Sequence, residues 1–339
     1  MINNIPYFVA EISANHCGSI GLAKKLIYTA KLNGADAVKL QTFTADSLTI
    51  KSKNKYFQIN NGLWKNSYLW DLYKKAETPY SWHKELFDYA KKLNIKIFST
   101  PFDVNAVDFL EKLKCPMYKI ASFEMTDLEL IKKVCLTKKP IIISTGLATI
   151  EEIEIVYKFA KKNGAKDITL LYCVSSYPSK TEYFYLRNLN ILKDKFKCRV
   201  GLSDHSNDNR VASLAVSLGA EVFEKHIALN NQKRGLDLKF SLKGKEIKKY
   251  KEDILFAYNL TCNKSFKRHK NEQKSKIFRR SIFAIKNISK NEIFSKKNIR
   301  VIRPGFGASG LIYKEILGKK SPIRIRKNFP VPKKIKSLI

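Results

Sequence analysis

No stretch of the 339 residues approaches the ~20 consecutive apolar side chains that a membrane-spanning helix needs. The opening MINNIPYFVAEIS has no basic region, apolar run or small-residue cleavage site, so a cytoplasmic protein with no membrane partner is expected. The six cysteines, at 17, 115, 135, 173, 198 and 262, form no CxxC pair and no zinc-type spacing, which leaves buried thiols in a reducing compartment as the expectation. Acidic side chains are also short in supply, with 30 Asp and Glu against 64 Lys and Arg and a formal net charge of +34. Such an excess suits nucleic acid only where it is clustered. Here the lysines are spread over nearly every predicted helix face, so no nucleic-acid function is expected, only a general attraction for anionic substrates.

What is present is one unit, repeated. A short β-branched or aromatic run, a turn and an amphipathic helix recur, with strands predicted at 7–13, 37–42, 95–101, 118–124, 140–146, 168–175, 198–204 and 221–229. Eight such alternations imply a closed (β/α)8 TIM barrel, and the absence of GxGxxG after the first strand weakens the dinucleotide-binding alternative. Helices read clearly at SIGLAKKLIYTAKLNGA, stopped by Gly34, and at TIEEIEIVYKFAKKNGA, with glutamates in its first turn. The segment between Phe43 and Lys92 is too long for one helix, so YFQINNGLWKNSYLWDLY is predicted to be a lid-like loop, with Leu63 and Trp64 forming an apolar wall. Residues 1–262 thus form the barrel, 263–278 a basic linker, and 279–339 a small, mostly β domain.

The catalytic face of a barrel is the C-terminal edge of its strands, and here every strand ends in polar groups. In order they are Glu11 with Asn15 and His16; Lys39 and Gln41; Ser99 and Thr100; Lys119 and Ser122; Ser144 and Thr145; Ser175 and Tyr177; Ser203, Asp204 and His205; Glu224 and His226. Two ammonium groups among several hydroxyls describe an anion site, most simply for a phosphate and a carboxylate. The stretch from Arg199 to Leu229 places His205 and His226 at neighbouring strand ends beside carboxylates, which suits a divalent metal with open coordination positions. A Schiff-base aldolase using Lys39 or Lys119 is the alternative within enzymes, and a basic nucleic-acid-binding protein the alternative outside them.

AEISANHCGSIGLAKK, GADAVKLQTFTADSLT, STPFD, YKIASFEMTDLELI, IISTGLAT, GLSDHS and EKHIAL, in that order, resemble the sialic acid synthase family, barrel enzymes with a C-terminal antifreeze-like (SAF) domain. EISANH, KIASFE and LYKKAETPYSWHKELF resemble its pseudaminic branch more than its neuraminate branch. The resemblance implies a transferase condensing phosphoenolpyruvate with an open-chain amino sugar to give a nine-carbon 2-keto acid and phosphate. On the pseudaminic branch the sugar is 2,4-diacetamido-2,4,6-trideoxy-L-altrose; an N-acetylmannosamine-type acceptor is the alternative. By the same resemblance His205 and His226 hold manganese or magnesium. Lys39, Thr100, Lys119, Ser122, Ser144 and Ser203 hold phosphoenolpyruvate, and Glu11, Gln41, Tyr177 and Asp237 meet the sugar or move protons, Glu11 being the favoured proton carrier. Ser175 stands where the neuraminate enzymes often have Asn, and its serine agrees with the pseudaminic branch. Arg303, in RPGFG, is implied to reach the partner's barrel in a domain-swapped homodimer. Cys17 and the RGLD at 234–237 depart from the family pattern, the latter replacing a GPD turn beside Asp237.

Overall fold

Eight parallel strands follow one another around the first unit: β1 (Tyr7–Glu11), β2 (Ala37–Thr42), β3 (Lys96–Pro101), β4 (Tyr118–Ile120), β5 (Ile141–Ser144), β6 (Ile168–Cys173), β7 (Arg199–Asp204) and β8 (Val222–Ala228). Each pairs with the next, and β8 pairs back onto β1 from Tyr7↔Val222 to Glu11↔His226, which closes the barrel. All eight predicted strands are therefore present. This computed structural model describes residues 5–263 and 265–339, and the chain divides into two compact units, Met1–Cys262 and Asn263–Ile339.

The strands are buried on both faces, as a sheet wrapped by helices requires; every residue of β6 and β8 is buried. The outer ring consists of α1 (Ile20–Leu32), α2 (Tyr80–Lys92), α3 (Val104–Lys112), α4 (Leu128–Leu136), α5 (Ile150–Lys162), α6 (Asn188–Phe196), α7 (Asn209–Ser217) and α8 (Lys245–Thr261). Their ends follow local chemistry. Thr149 and Glu152 form a capping box at the start of α5, while Asp103 and Asp127 cap α3 and α4 by accepting backbone N–H groups. One continuous core, from Phe8 on β1 to Ala257 on α8, fills the barrel and the space under the helices.

The segment predicted as a lid loop contains more regular structure than its sequence suggests. A short helix at Ala45–Leu48, a 3-10 turn at Lys55–Phe57, a bridge between Gln58 and Tyr68 and a helix at Leu69–Ala76 lie along it. No side chain caps the start of the Leu69–Ala76 helix, so the sequence gives no start signal there.

The second unit has its own small core, built on Ile282, Ile288, Phe294, Ile299, Val331 and Ile335. A two-stranded antiparallel sheet, β9 (Ser281–Ala284) with β10 (Ile299–Ile302), is extended by single bridges such as Phe283↔Pro330 and Ile288↔Ile325. The stretch predicted as a linker carries a 3-10 helix, Lys270–Phe278, with no buried residue. Its Lys276 carbonyl accepts the Gly305 N–H at 3.0 Å. A Cβ at Gly305 would stand 2.4 Å from that carbonyl, and one at Gly307 would stand 2.5 Å from the carbonyl of Ile282. Both glycines are thus required by the loop's own packing, which leaves Arg303 and Phe306 exposed. No helix among the described residues is long and apolar enough to cross a membrane. All six cysteines are free; Cys115, Cys135 and Cys173 are buried as the expectation of buried thiols has it, Cys198 is half-buried, and Cys17 and Cys262 are exposed.

Candidate active site

Because side chains alternate along a strand, Ser203 and His205 leave β7 on the same side, as Glu224 and His226 do from β8, and that side is the barrel mouth. A cavity of about 330 Å³ opens there. Of the residues predicted for the site, Glu11, Lys39, Gln41, Thr100, Lys119, Ser122, Ser144, Tyr177, Ser203, His205, His226 and Asp237 all line it.

The floor is a buried ion-pair network. Lys39 pairs with Glu11, donates to Thr100 Oγ1 at 3.0 Å, and lies 3.9 Å from Glu224 Oε2. Lys119 donates to both oxygens of Glu224, at 2.8 and 2.9 Å, and Ser203 donates to Glu224 Oε1 at 3.1 Å. Burial works to raise the Glu224 pKa, but Lys119 and Lys39 outweigh it and hold the carboxyl well below its ordinary range. Burial likewise opposes the charge on Lys39, yet Glu11 and Glu224 raise its pKa above that of a free lysine. For Lys119 burial prevails, with Lys39 pushing the same way, and its pKa is lowered. Lys39 and Lys119, balanced in charge by Glu11 and Glu224, both line the cavity, and Ser144 Oγ is buried there without a hydrogen-bond partner. An anion with several oxygens would accept from all three.

The imidazoles stand beside this floor. His205 and His226 have ring centroids 5.5 Å apart, so the two do meet as their strand positions suggested. Nδ1 of His205 lies 3.3 Å from the Val174 carbonyl, which can only accept, so Nδ1 carries the proton and Nε2 keeps its lone pair. Burial, reinforced by the nearby His226 and Lys225, lowers the His205 pKa to about 3 and keeps the ring neutral. Nδ1 of His226 is buried without a hydrogen-bond partner, 3.5 Å from Asp237 Oδ2. Burial disfavours the Asp237 charge, but His226 and Ser13 more than compensate and its pKa is lowered. The neutral His205 and the orphaned nitrogen of His226, beside the ionised Asp237, are donors of the kind a divalent cation takes, although no group of three or more His, Cys, Asp or Glu is gathered closely enough to hold one among the described residues.

An aromatic wall joins the imidazoles to the lid. Tyr177 stands 4.5 Å from His205 and 5.6 Å from Trp64, and Phe240 lies 4.8 Å from His226. Trp64 Nε1 donates to the Leu236 carbonyl at 3.3 Å, tying the lid to the loop that carries Asp237. That loop departs from the family pattern but is firmly held. Asn15 accepts the Asp237 N–H through Oδ1 at 3.3 Å, and a Cβ at Gly235 would stand 2.6 Å from the same oxygen. Cys17, the other departure, lies against the same loop, with Sγ 3.2 Å from the Arg234 carbonyl.

Several predicted placements are corrected. Ser175 does not line the cavity; it stands behind Gly146, whose Cβ would meet its hydroxyl at 2.2 Å. Leu63 does not line it either, and the apolar lid wall is made by Leu48, Ile59, Trp64 and Leu72. Asn15, His16, Ser99, Thr145 and Asp204 stand behind the cavity lining. Arg303 lies in the second unit, as its sequence position implied, just past β10. Glu124 and Tyr73 are among the lining residues that carried no predicted role. Glu124, which closes the KIASFE motif, has its pKa raised by burial to about 7 and Oε2 without a partner; its position just past the Ser122 already singled out was the available signal. Tyr73, on the Leu69–Ala76 helix, was hidden by the reading of that helix as loop.

Comparison with known proteins adds to this geometry. The family model described as "NeuB family" matches residues 26–265, and the SAF domain model matches residues 279–334. Over 328 residues the chain is 43% identical to the pseudaminic acid synthase of Helicobacter pylori, covering 96% of each sequence. It is 41% identical to the N,N'-diacetyllegionaminic acid synthase of Campylobacter jejuni, over 92% of this chain and 94% of that one. Among solved structures, the N-acetylneuraminic acid synthetase of Leptospira borgpetersenii, determined with citrate, superposes with a TM-score of 0.72 at 29% identity, over 80% of this chain and 91% of that one.

Proposed function

This chain belongs to the NeuB family and carries a SAF domain, and from that premise we propose that it is a pseudaminic acid synthase. The reaction would join phosphoenolpyruvate to the open-chain aldehyde of 2,4-diacetamido-2,4,6-trideoxy-L-altrose. The observation that carries the reading is the pair of buried ammonium groups, Lys39 and Lys119, spanned by Glu224 directly beside the two imidazoles of His205 and His226.

In this reading Lys39, Lys119, Thr100, Ser122, Ser144 and Ser203 hold the phosphate and carboxylate of phosphoenolpyruvate. His205 and His226 would hold manganese or magnesium, with Asp237 adjacent, and the metal would there polarise the sugar aldehyde. C3 of phosphoenolpyruvate forms the new carbon–carbon bond with the aldehyde carbon, water adds at C2, and the C2–O bond breaks to release phosphate. Glu11, fixed by the Ser13 N–H at 2.6 Å and by Lys39, is placed to carry the proton. Gln41 and Tyr177 line the sugar side, and the lid's apolar residues suit the 6-methyl group, against which a hydroxyl would lose its hydrogen bonds. Holding two small substrates in register can supply on the order of 7 kcal/mol of the barrier. The lysines are locked between carboxylates, which weighs against attack on a carbonyl by either.

We further propose that Arg303 of the SAF unit contacts the sugar in a partner's barrel within a domain-swapped homodimer, the family arrangement. Phosphoenolpyruvate as co-substrate supports a cytoplasmic setting, and the dispersed lysines support no role for nucleic acid. The legionaminic relative, nearly as similar as the pseudaminic one, gives the second reading of the acceptor. One experiment tests all of this: incubate the protein with phosphoenolpyruvate, manganese and separate 2,4-diacetamido-2,4,6-trideoxyhexoses or N-acetylmannosamine, and follow phosphate. Fastest release is expected with the L-altrose sugar and none after chelation. Faster release with N-acetylmannosamine or the legionaminic precursor moves the chain to another branch, whereas trapping of an adduct by borohydride without metal restores the aldolase alternative.

A further inference from the structure

Asp204 and Lys225 immediately precede the two imidazoles, and they are register partners across β7 and β8. Strand alternation turns them away from the cavity, into the layer between the sheet and α8, where both are buried. A charged pair in such a layer carries a desolvation cost, and its replacement by well-packed apolar residues is often neutral or stabilising. Stability alone is therefore a poor account of it.

The pair does control one turn. Asp204 Oδ1 accepts the Ser206 N–H at 2.8 Å, and Lys225 Nζ donates to the Ser206 carbonyl. Lys225 Nζ also lies 3.2 Å from Asp204 Oδ2, which accepts the Tyr250 hydroxyl of α8 at 3.2 Å. Both backbone groups of the residue after His205 are thus held by side chains that neighbour the two imidazoles in sequence. From the other direction, Ser179 donates its N–H to the His205 carbonyl at 2.9 Å, and its hydroxyl to the Val174 carbonyl that fixes the His205 ring.

We propose that Asp204, Lys225 and Tyr250 are positioning residues for the divalent-metal site: they clamp the ends of β7 and β8 so that His205 and His226 share one cation. The inference rests on the metal reading above. In this arrangement the barrel sets the strands and the buried network sets the last ångström at their tips, where backbone pairing gives out.

The test uses the full-length protein, stripped with chelator and titrated with Mn2+ alone by calorimetry, well below its unfolding temperature. Asp204→Asn combined with Lys225→Met removes both charges at once, so no unpaired charge is left buried. It is expected to weaken Mn2+ binding by about tenfold or more while the protein remains folded by circular dichroism, and Tyr250→Phe to weaken it by about threefold. A folded double variant that binds Mn2+ within about twofold of wild type overturns the proposal, whatever happens to its unfolding temperature. If the double variant does not fold, Tyr250→Phe decides, and unchanged affinity there overturns it. Wild type that takes up no more Mn2+ than His205→Ala overturns the metal reading itself, and the clamp with it.

Discussion

Glu224 is the residue on which the charges of the site turn, since Lys119, Lys39 and Ser203 all converge on it. Glu224→Gln would leave two buried ammonium groups with too little negative charge, which should cost about 3 kcal/mol of stability or more. Added inorganic phosphate should return a larger part of that loss to the variant than it adds to wild type, because the anion would stand in for the missing carboxylate. Thermal unfolding with and without phosphate measures this, and an equal gain in both proteins would place the ligand elsewhere. Glu124 titrates in the opposite sense. Its pKa is raised by burial from 4.5 to about 7, so the folded state binds the proton more tightly than the unfolded chain. The stabilisation is complete below the ordinary carboxyl range and is lost as pH rises through about 7. Between about pH 5 and pH 8 wild type should lose on the order of 2 kcal/mol more than Glu124→Gln, read from denaturant unfolding at both. Parallel losses would show that Glu124 is not shielded as the structure has it. The polar strand ends were legible because charged residues at that edge of a barrel can do little except line its mouth; Glu124 was passed over because the strand stops at Ile120, and the 3-10 turn Ser122–Glu124 that follows brings both its polar ends to the cavity where only Ser122 was singled out.

At the scale of elements, the lid is where sequence and structure part. All eight strands could be read from apolar runs bounded by turns, since burial on both faces leaves little room for other patterns. The Leu69–Ala76 helix is only eight residues long and rich in aromatics, and it lacks a capping side chain, so neither periodicity nor end signals distinguish it. Its packing is what makes it regular: Leu72 is buried, and Tyr73 sits against Phe43 with ring centroids 6.2 Å apart. Trp64 is the contact through which the lid reaches the Asp237 loop and Tyr177. Trp64→Ala should therefore raise the KM for the amino sugar by about tenfold or more while leaving that for phosphoenolpyruvate within about twofold. Steady-state kinetics in each substrate separates the two, and a matched rise in both would make the lid a general cover instead of a sugar contact.

At the scale of the whole molecule, the proposal that Arg303 works in trans predicts complementation. Arg303→Ala and His205→Ala chains, each nearly inactive alone, should recover up to about a quarter of wild-type activity when unfolded and refolded together, because a mixed dimer would then hold one intact site. No recovery in a mixture shown to contain mixed dimers would confine the arginine to its own chain. The barrel's closure has a further consequence, for how the site is made. Glu11 lies beside His226 only because β1 pairs with β8, the last barrel strand to leave the ribosome. Until then the first strand has an open edge and the anion floor lacks Glu224, so a nascent chain holds Lys39 and Lys119 without the carboxylate that joins them. Such long-range pairing is slow and leaves sheet edges exposed while it waits. The catalytic mouth is thus assembled last, and a chain stalled or cut before Val222 would present the cell with an open, aggregation-prone sheet of seven strands and no residual activity.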